Sequence, residues 1–297
     1  MQTESLSLPL DGAPPTPAAP EPAHGFFGPD SLVWRISREN ALLLGGPAAV
    51  LLQLAHPAVA AGVAEHSRFD ADPLGRFRRT FETIDRILFG SAEEAVTAAR
   101  AARRRHDLVR GRLPEDLGPH RRGTPYFANR PDLLLWVHAT LIEGALGAYG
   151  RFVGPLREAE RERYYEETRP FAELFGIPEA ALPASYGAFR SYFAHTVERV
   201  LAVGSCAQEL RRSLRRSLPA ALRPLTALLA AGLLPERVRA LYGLPWNRGR
   251  ALALETLAQG MRRSLPHLPE RLRYDARYLR AKRKLRARAG GSRSPSP

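Results

Sequence analysis

Twenty consecutive residues, Leu133 to Phe152, are apolar on almost every side of the helix that their spacing predicts. A helix without a polar face is stable in water only at the centre of a fold, so other elements must surround it. Pro131-Asp132 supplies its start, with proline in the first turn. The rest of the chain offers helices for the surround. Helical spacing of apolar residues recurs almost everywhere, alternation of apolar and polar residues is never sustained, and no Asn-Gly turn marks a hairpin. The expected fold is therefore all-α: a single-domain helical bundle, packed in the globin-like manner around a buried central helix.

The predicted elements follow from breakers and caps. Asp30 reads as the cap of a helix from Ser31 to Leu44, which Gly45-Gly46-Pro47 ends. A second helix runs toward His66 with a kink at Pro57. Asp72-Pro73 opens a third that stops at Gly90, and Ser91 caps a fourth that carries His106. Glu93 and Glu94 stand in its first turn and arginines in its last, as the helix dipole prefers. Arg112 to Arg130 reads as loop. Glu158 to Phe175 is amphipathic, helices follow at about 184–203, 217–232, 235–242 and 248–264, and Arg271 to Arg288 forms a basic helix. The Pro/Ala-rich segment 1–25 and the tail 289–297 are expected to be disordered, which leaves 26–288 as the one folded domain.

Composition narrows the class. The net charge is +14, yet Lys282 and Lys284 are the only lysines and much of the excess is spread singly over helix faces. That pattern is a solvated basic surface, and no nucleic-acid partner is expected. Cys206 is the only cysteine, so neither an intrachain disulfide nor a multi-cysteine metal site can form. Residues 1–29 hold no basic residue and no long apolar run, so a signal peptide is not expected and a cytoplasmic location is. Ala41 to Ala64 is long enough to span a bilayer, but Pro47, Gln53, His56 and Pro57 interrupt it. A buried helix pair is the better reading, with peripheral membrane contact left open.

Several polar residues fall on apolar faces. Positions 95, 99, 102, 106 and 109 form one helical stripe, and His106 is its only polar member. An inward imidazole is either satisfied by a hydrogen bond or holds a metal or haem iron. His56, His66 and His138 raise the same question, with Glu143 or a neighbouring helix as the bland partner for His138. On the helix before His106, Leu74, Phe77, Phe81, Ile84 and Leu88 make the predicted core stripe. Arg76, Arg79, Thr80 and Thr83 cluster beside it and share their flank with Ile87. Guanidinium and hydroxyl groups beside an apolar pocket can orient a carboxylate, a haem propionate or dioxygen; the same cluster is equally an ordinary solvent-facing edge. Dinucleotide, phosphate-loop, nucleophile-elbow and zinc-protease signatures are all missing, and Glu-x-x-His occurs only as Glu21-Pro22-Ala23-His24 in the Pro/Ala-rich segment.

Taken in order, the segments resemble those of one family. They are Leu54-Ala55-His56-Pro57 with Glu65-His66-Ser67, then Arg76-Phe77-Arg78-Arg79-Thr80 with Leu88-Phe89-Gly90. His106-Asp107-Leu108-Val109-Arg110-Gly111 comes next, then Tyr126-Phe127-Ala128 leading into the central helix around Trp136-Val137-His138, then Phe175-Gly176-Ile177-Pro178 and Leu182-Pro183. Together they resemble the oxygenase family that contains rubber oxygenase (the latex clearing protein) and MpaB, over roughly Phe26 to Arg283. The resemblance implies an all-α fold carrying haem b. It implies that His106 is the proximal iron ligand, that Arg76, Arg79 and Thr80 lie on the distal side in catalytic roles, and that His66, His138 and Arg76 help to bind the cofactor. Arg79 stands where rubber oxygenase has a lysine, so an open or water-filled distal position is implied. The implied activity is oxidation, or oxidative C=C cleavage, of an apolar alkene-bearing small molecule by dioxygen. The alternatives are a non-catalytic helical binder of a lipid-like ligand and a nucleic-acid binder using Arg271 to Arg288. The oligomeric state is not legible.

Overall fold

The computed structural model describes residues 25–67 and 73–291; the side chains of residues 73, 74, 76, 77 and 288–291 lie outside that description. The expected disordered segments therefore fall outside it, apart from Gly25 and residues 289–291, which continue the last helix. The helices are α1 (Leu32–Ser37), α2 (Gly46–Leu54), α3 (Pro57–His66), α4 (Pro73–Phe89), α5 (Ala92–His106), α6 (Pro131–Phe152), α7 (Glu158–Glu167), α8 (Arg169–Leu174), α9 (Tyr186–Arg199), α10 (Ser205–Ser217), α11 (Arg223–Leu233), α12 (Glu236–Leu241), α13 (Arg248–Ser264), α14 (Glu270–Arg273) and α15 (Ala276–Gly291). The fold is the all-α bundle that the sequence implies. The all-round apolar helix α6 lies inside it, with Trp136, Ala139, Ile142, Leu146 and Phe152 almost wholly buried. It packs against α1, α2, α13 and the 3-10 turn Asn40–Gly45.

Tertiary contacts redraw several predicted elements. The first predicted helix is capped by Ser31 rather than Asp30, with the Ser31 hydroxyl accepting from Trp34 N at 3.1 Å. It ends at Ser37 because Glu39 turns extended and pairs with Tyr274 across an antiparallel bridge. The predicted kink at Pro57 is a full corner: the segments on either side cross at 100°. Proline excludes the helical conformation from the residue before it, and His56 is extended at φ −84 and ψ 119. The freed carbonyl of Ala55 accepts from Ala202 N at 3.0 Å, so the corner is pinned from outside. The predicted helix over 158–175 breaks at Thr168, and the basic helix over 271–288 breaks at Tyr274-Asp275. The segment predicted as loop contains an antiparallel pair, β1 (Arg110–Arg112) and β2 (Pro125–Phe127), with Arg110 opposite Phe127. Three residues per strand are too few to show an alternating pattern.

The C-terminal helices close the bundle from outside. Trp34 donates from Nε1 to Leu88 O at 2.8 Å and meets Phe89 and Tyr278 edge-on at 5.5 and 5.7 Å. Glu39 is buried and receives a forked pair of hydrogen bonds from Arg273, at 2.9 Å from Nε and 2.8 Å from Nη2. Asp275 then caps α15, its carboxylate accepting from Arg277 N and Tyr278 N.

Candidate functional site

Helices α4 and α5 are joined only by Gly90 and Ser91 and pack against each other. Ser91 sets the turn with a capping box: its hydroxyl accepts from Glu94 N at 3.2 Å, and Glu94 Oε2 accepts from Ser91 N at 2.8 Å. The two helices therefore form an antiparallel hairpin with both far ends together. At 1.5 Å per residue, the Arg76 backbone lies about 21 Å from the turn and His106 about 22 Å. Residues thirty apart in sequence thus stand at one level, with Arg79 and Thr80 one turn below. The Arg76 side chain itself lies outside the described residues.

Burial along α4 corrects the predicted core stripe. Phe81, assigned to the core, is 38% exposed, whereas Ile87, on the flank with Thr80 and Thr83, is 0% exposed. Ile84 and Leu88 of the predicted stripe do pack against the core, so the buried side of α4 takes in Ile84, Ile87 and Leu88. The threonine flank is buried at Ile87, half-buried at Thr83, and exposed at Thr80 and Arg79. Opposite, the buried residues of α5 are all alanines, Ala95, Ala98, Ala99 and Ala102, with Val96 partly buried against the core. Along α4 exposure rises from Ile87 near the turn to Thr80 and Arg79 toward the far end.

The His106 end is held from three sides. His106 is the last residue of α5, half-buried, with Nδ1 shielded from water. Asn129 donates from Nδ2 to Arg103 O at 3.1 Å and to Asp107 Oδ1 at 2.7 Å, gripping the residues around His106. Arg103 crosses over Gly176, whose φ of +80 suits glycine, and donates to Phe175 O at 2.7 Å. A side chain at 176 would occupy the space of that guanidinium. Beyond His106, His66 bonds through Nε2 to Arg110 O at 2.9 Å, and Tyr126 donates to Glu65 Oε2 at 2.5 Å. Burial and the Glu65 carboxylate raise the Tyr126 phenol above its ordinary pKa. The end of α3, the β-hairpin and the end of α5 are thereby tied together. No periodicity signals Asn129 or the Glu65–Tyr126 bond; they are visible only when three separate segments meet.

His138 lies elsewhere. It does not bond Glu143, which pairs with Arg190 at 3.1 Å. Its ring stacks on Phe171 at 5.6 Å, and Phe171 stacks on Phe175, whose carbonyl holds Arg103. It therefore reaches the His106 helix through two phenylalanines rather than bordering the far end. His56 stands at the α2–α3 corner, edge-on to His120 at 5.4 Å, while His120 bonds Val200 O at 2.9 Å.

Burial lowers both His56 and His138 to a pKa of about 4, and the neighbouring His120 adds to the effect on His56. Unfolded, each takes up a proton near pH 6.5; folded, each stays neutral down to about pH 4. Between these values the unfolded chain binds more protons, so stability falls as pH falls. Each histidine contributes on the order of 3 kcal/mol to that loss by pH 4. Urea titrations at pH 7 and pH 4.5 are expected to show the loss, and His138→Phe is expected to reduce it. A His138→Phe variant with the wild-type pH dependence contradicts the assignment.

The chain was compared with known proteins. Residues 34–263 match the family model described as ER-bound oxygenase mpaB/B'/Rubber oxygenase, catalytic domain. The chain belongs to this family. The matched stretch takes in the whole α4–α5 hairpin, the β-hairpin and the central helix α6. Two uncharacterised mycobacterial proteins, one from Mycobacterium bovis and one from Mycobacterium tuberculosis, are each 26% identical over 235 residues, covering 74% of this chain and 89% of theirs. No solved structure matches. An oxygenase catalytic domain implies a small-molecule substrate and oxygen.

Proposed function

We propose that the chain is a haem b-dependent oxygenase acting on an apolar, alkene-bearing small molecule. In this reading His106 would hold the iron, with Arg76, Arg79 and Thr80 carried by the neighbouring helix α4. What supports this reading is the α4–α5 hairpin: by the rise per residue, the Arg76 backbone stands near the level of His106. The residues fit an iron porphyrin better than a bare ion. Among the described residues no three His, Cys, Asp or Glu side chains converge, whereas a porphyrin provides four of the iron's ligands itself and asks the protein for an imidazole.

Bound haem would supply the oxygen chemistry, and the protein supplies position, polarity and access. The Arg79 guanidinium and, one residue on, the Thr80 hydroxyl would offer donors to an oxygen-bearing group near this end. Guanidinium does not ligate iron as a lysine amine can, so the side facing α4 would be left accessible. Ile87 and the alanines below exclude water from the floor. His66, held by Arg110, borders the same end; His138 supports it from behind Phe171.

The test is an absorption spectrum of the purified protein with and without reductant. The expected result is a Soret band that shifts on reduction. A colourless protein that consumes no oxygen with any alkene overturns the proposal and favours a helical carrier of a lipid-like ligand.

A further inference from the structure

We propose that the face formed by α14, α15 and the 3-10 turn Asn40–Gly45 is a docking surface for an anionic lipid bilayer. Residues 268–288 hold nine Lys and Arg side chains against Glu270 and Asp275 alone, so half of the chain's net charge of +14 falls in this short segment. Both acids are engaged. Glu270 takes Lys282 at 2.6 Å, and Asp275 caps the backbone of α15. Arg277 is drawn inward to Asp85 at 3.6 Å, and Arg273 to Glu39. Arg271, Arg283, Lys284 and Arg286 are left exposed, with no ion pair among the described residues. The inner side of α15 is occupied separately: Tyr278 is buried in the core, with Leu279 and Leu285 packed beside it. The outer cations are therefore not needed to hold the helix down.

Charge alone would suit any polyanion. The leucines decide the partner. Leu272 is 59% exposed and Leu268 38% exposed, on either side of Glu270. Leu43 is 57% exposed on the 3-10 turn, which packs against α14 and is fastened to it by Asn40 Nδ2 donating to Leu272 O at 3.0 Å. Three uncovered leucines on two packed segments, beside unpaired cations, match a surface that is anionic outside and apolar just beneath. A nucleic acid would take the cations and leave the leucines in water.

The experiment is co-sedimentation of the full chain with vesicles. Binding is expected at low salt to mixed phosphatidylcholine–phosphatidylglycerol vesicles and not to phosphatidylcholine alone, with release as salt screens the charges. Replacing Arg271, Arg283, Lys284 and Arg286 by Gln is expected to lower partitioning by about a hundredfold or more. Replacing Leu43, Leu268 and Leu272 by Ser is expected to lower it as well, at unchanged charge. Circular dichroism melts of both variants should match the parent, which separates loss of docking from loss of fold. No binding to the mixed vesicles at low salt overturns the proposal. So does a leucine variant that binds them as the parent does, and in that case tight, salt-sensitive binding of duplex DNA would mark the face as a nucleic-acid surface instead.

Discussion

His106→Ala is expected to purify without the Soret band of the parent protein and without oxygen-consuming activity. Its fold should survive. His106 is the last residue of α5 and only half-buried, and alanine is a good helix former, so the change in stability should stay within about 1 kcal/mol. The grip of Asn129 on Arg103 and Asp107 uses groups that the substitution leaves in place. Colour and fold are thus separable readouts: the spectrum reports the ligand, the thermal melt reports the bundle. Free imidazole added to the variant should restore part of the band by filling the vacated space. A variant with full haem and an unchanged spectrum assigns the iron to another residue, and His66, bonded to the backbone four residues beyond His106, is then the first to replace.

Arg273→Ala is expected to destabilise the protein by about 3–5 kcal/mol, because it leaves a buried carboxylate without its counter-ion. The Glu39 side chain is 1% exposed and takes both of its short hydrogen bonds to a charged group from Arg273. Arg38 is a poor substitute. Its Nε is 3.9 Å from Glu39 and its guanidinium is already stacked over Tyr274 at 4.6 Å. Removing both partners, as in Glu39→Leu with Arg273→Leu, should cost less than Arg273→Ala alone, since no unpaired charge remains. Urea unfolding of the single and double variants measures the difference. Equal losses would mean that Glu39 finds water or another cation when Arg273 is gone.

How far the sequence could be read depended on the range of the forces involved. The central helix was legible because all-round apolarity has one physical outcome, burial. The α4–α5 turn was legible because Gly90, Ser91 and Glu94 act within four residues. Where a distant segment intervened, local reasoning failed. Ser31 to Leu44 has continuous helical spacing, yet Glu39 leaves the helix to meet Tyr274 more than two hundred residues away. Helix α10 escaped notice because its inward face is thin, Ala207, Leu210 and Ser213, between long arginine side chains. At the site, the residues on α4 and α5 were legible as clusters, and the side that faces inward only in part. Ile84 and Leu88 pack inward as their spacing suggests, whereas Phe81 is exposed and Ile87, from the threonine flank, is buried with them. The Glu65–Tyr126 bond and the Asn129 clamp join segments whose spacing carries no common period.

Family likeness ends at residue 263, but the core does not. Tyr278 shares one continuous cluster with Trp34, Phe89 and Trp136, and Arg273 neutralises a carboxylate beside α1. The boundary of inheritance and the boundary of cooperativity therefore fall in different places. A chain cut at 263 would keep every residue of the candidate site and lose the cap that seals α1 against α4. The packing therefore predicts that the C-terminal helices unfold together with the oxygenase domain, so the smallest cooperative unit is expected to extend beyond the stretch that matches the family.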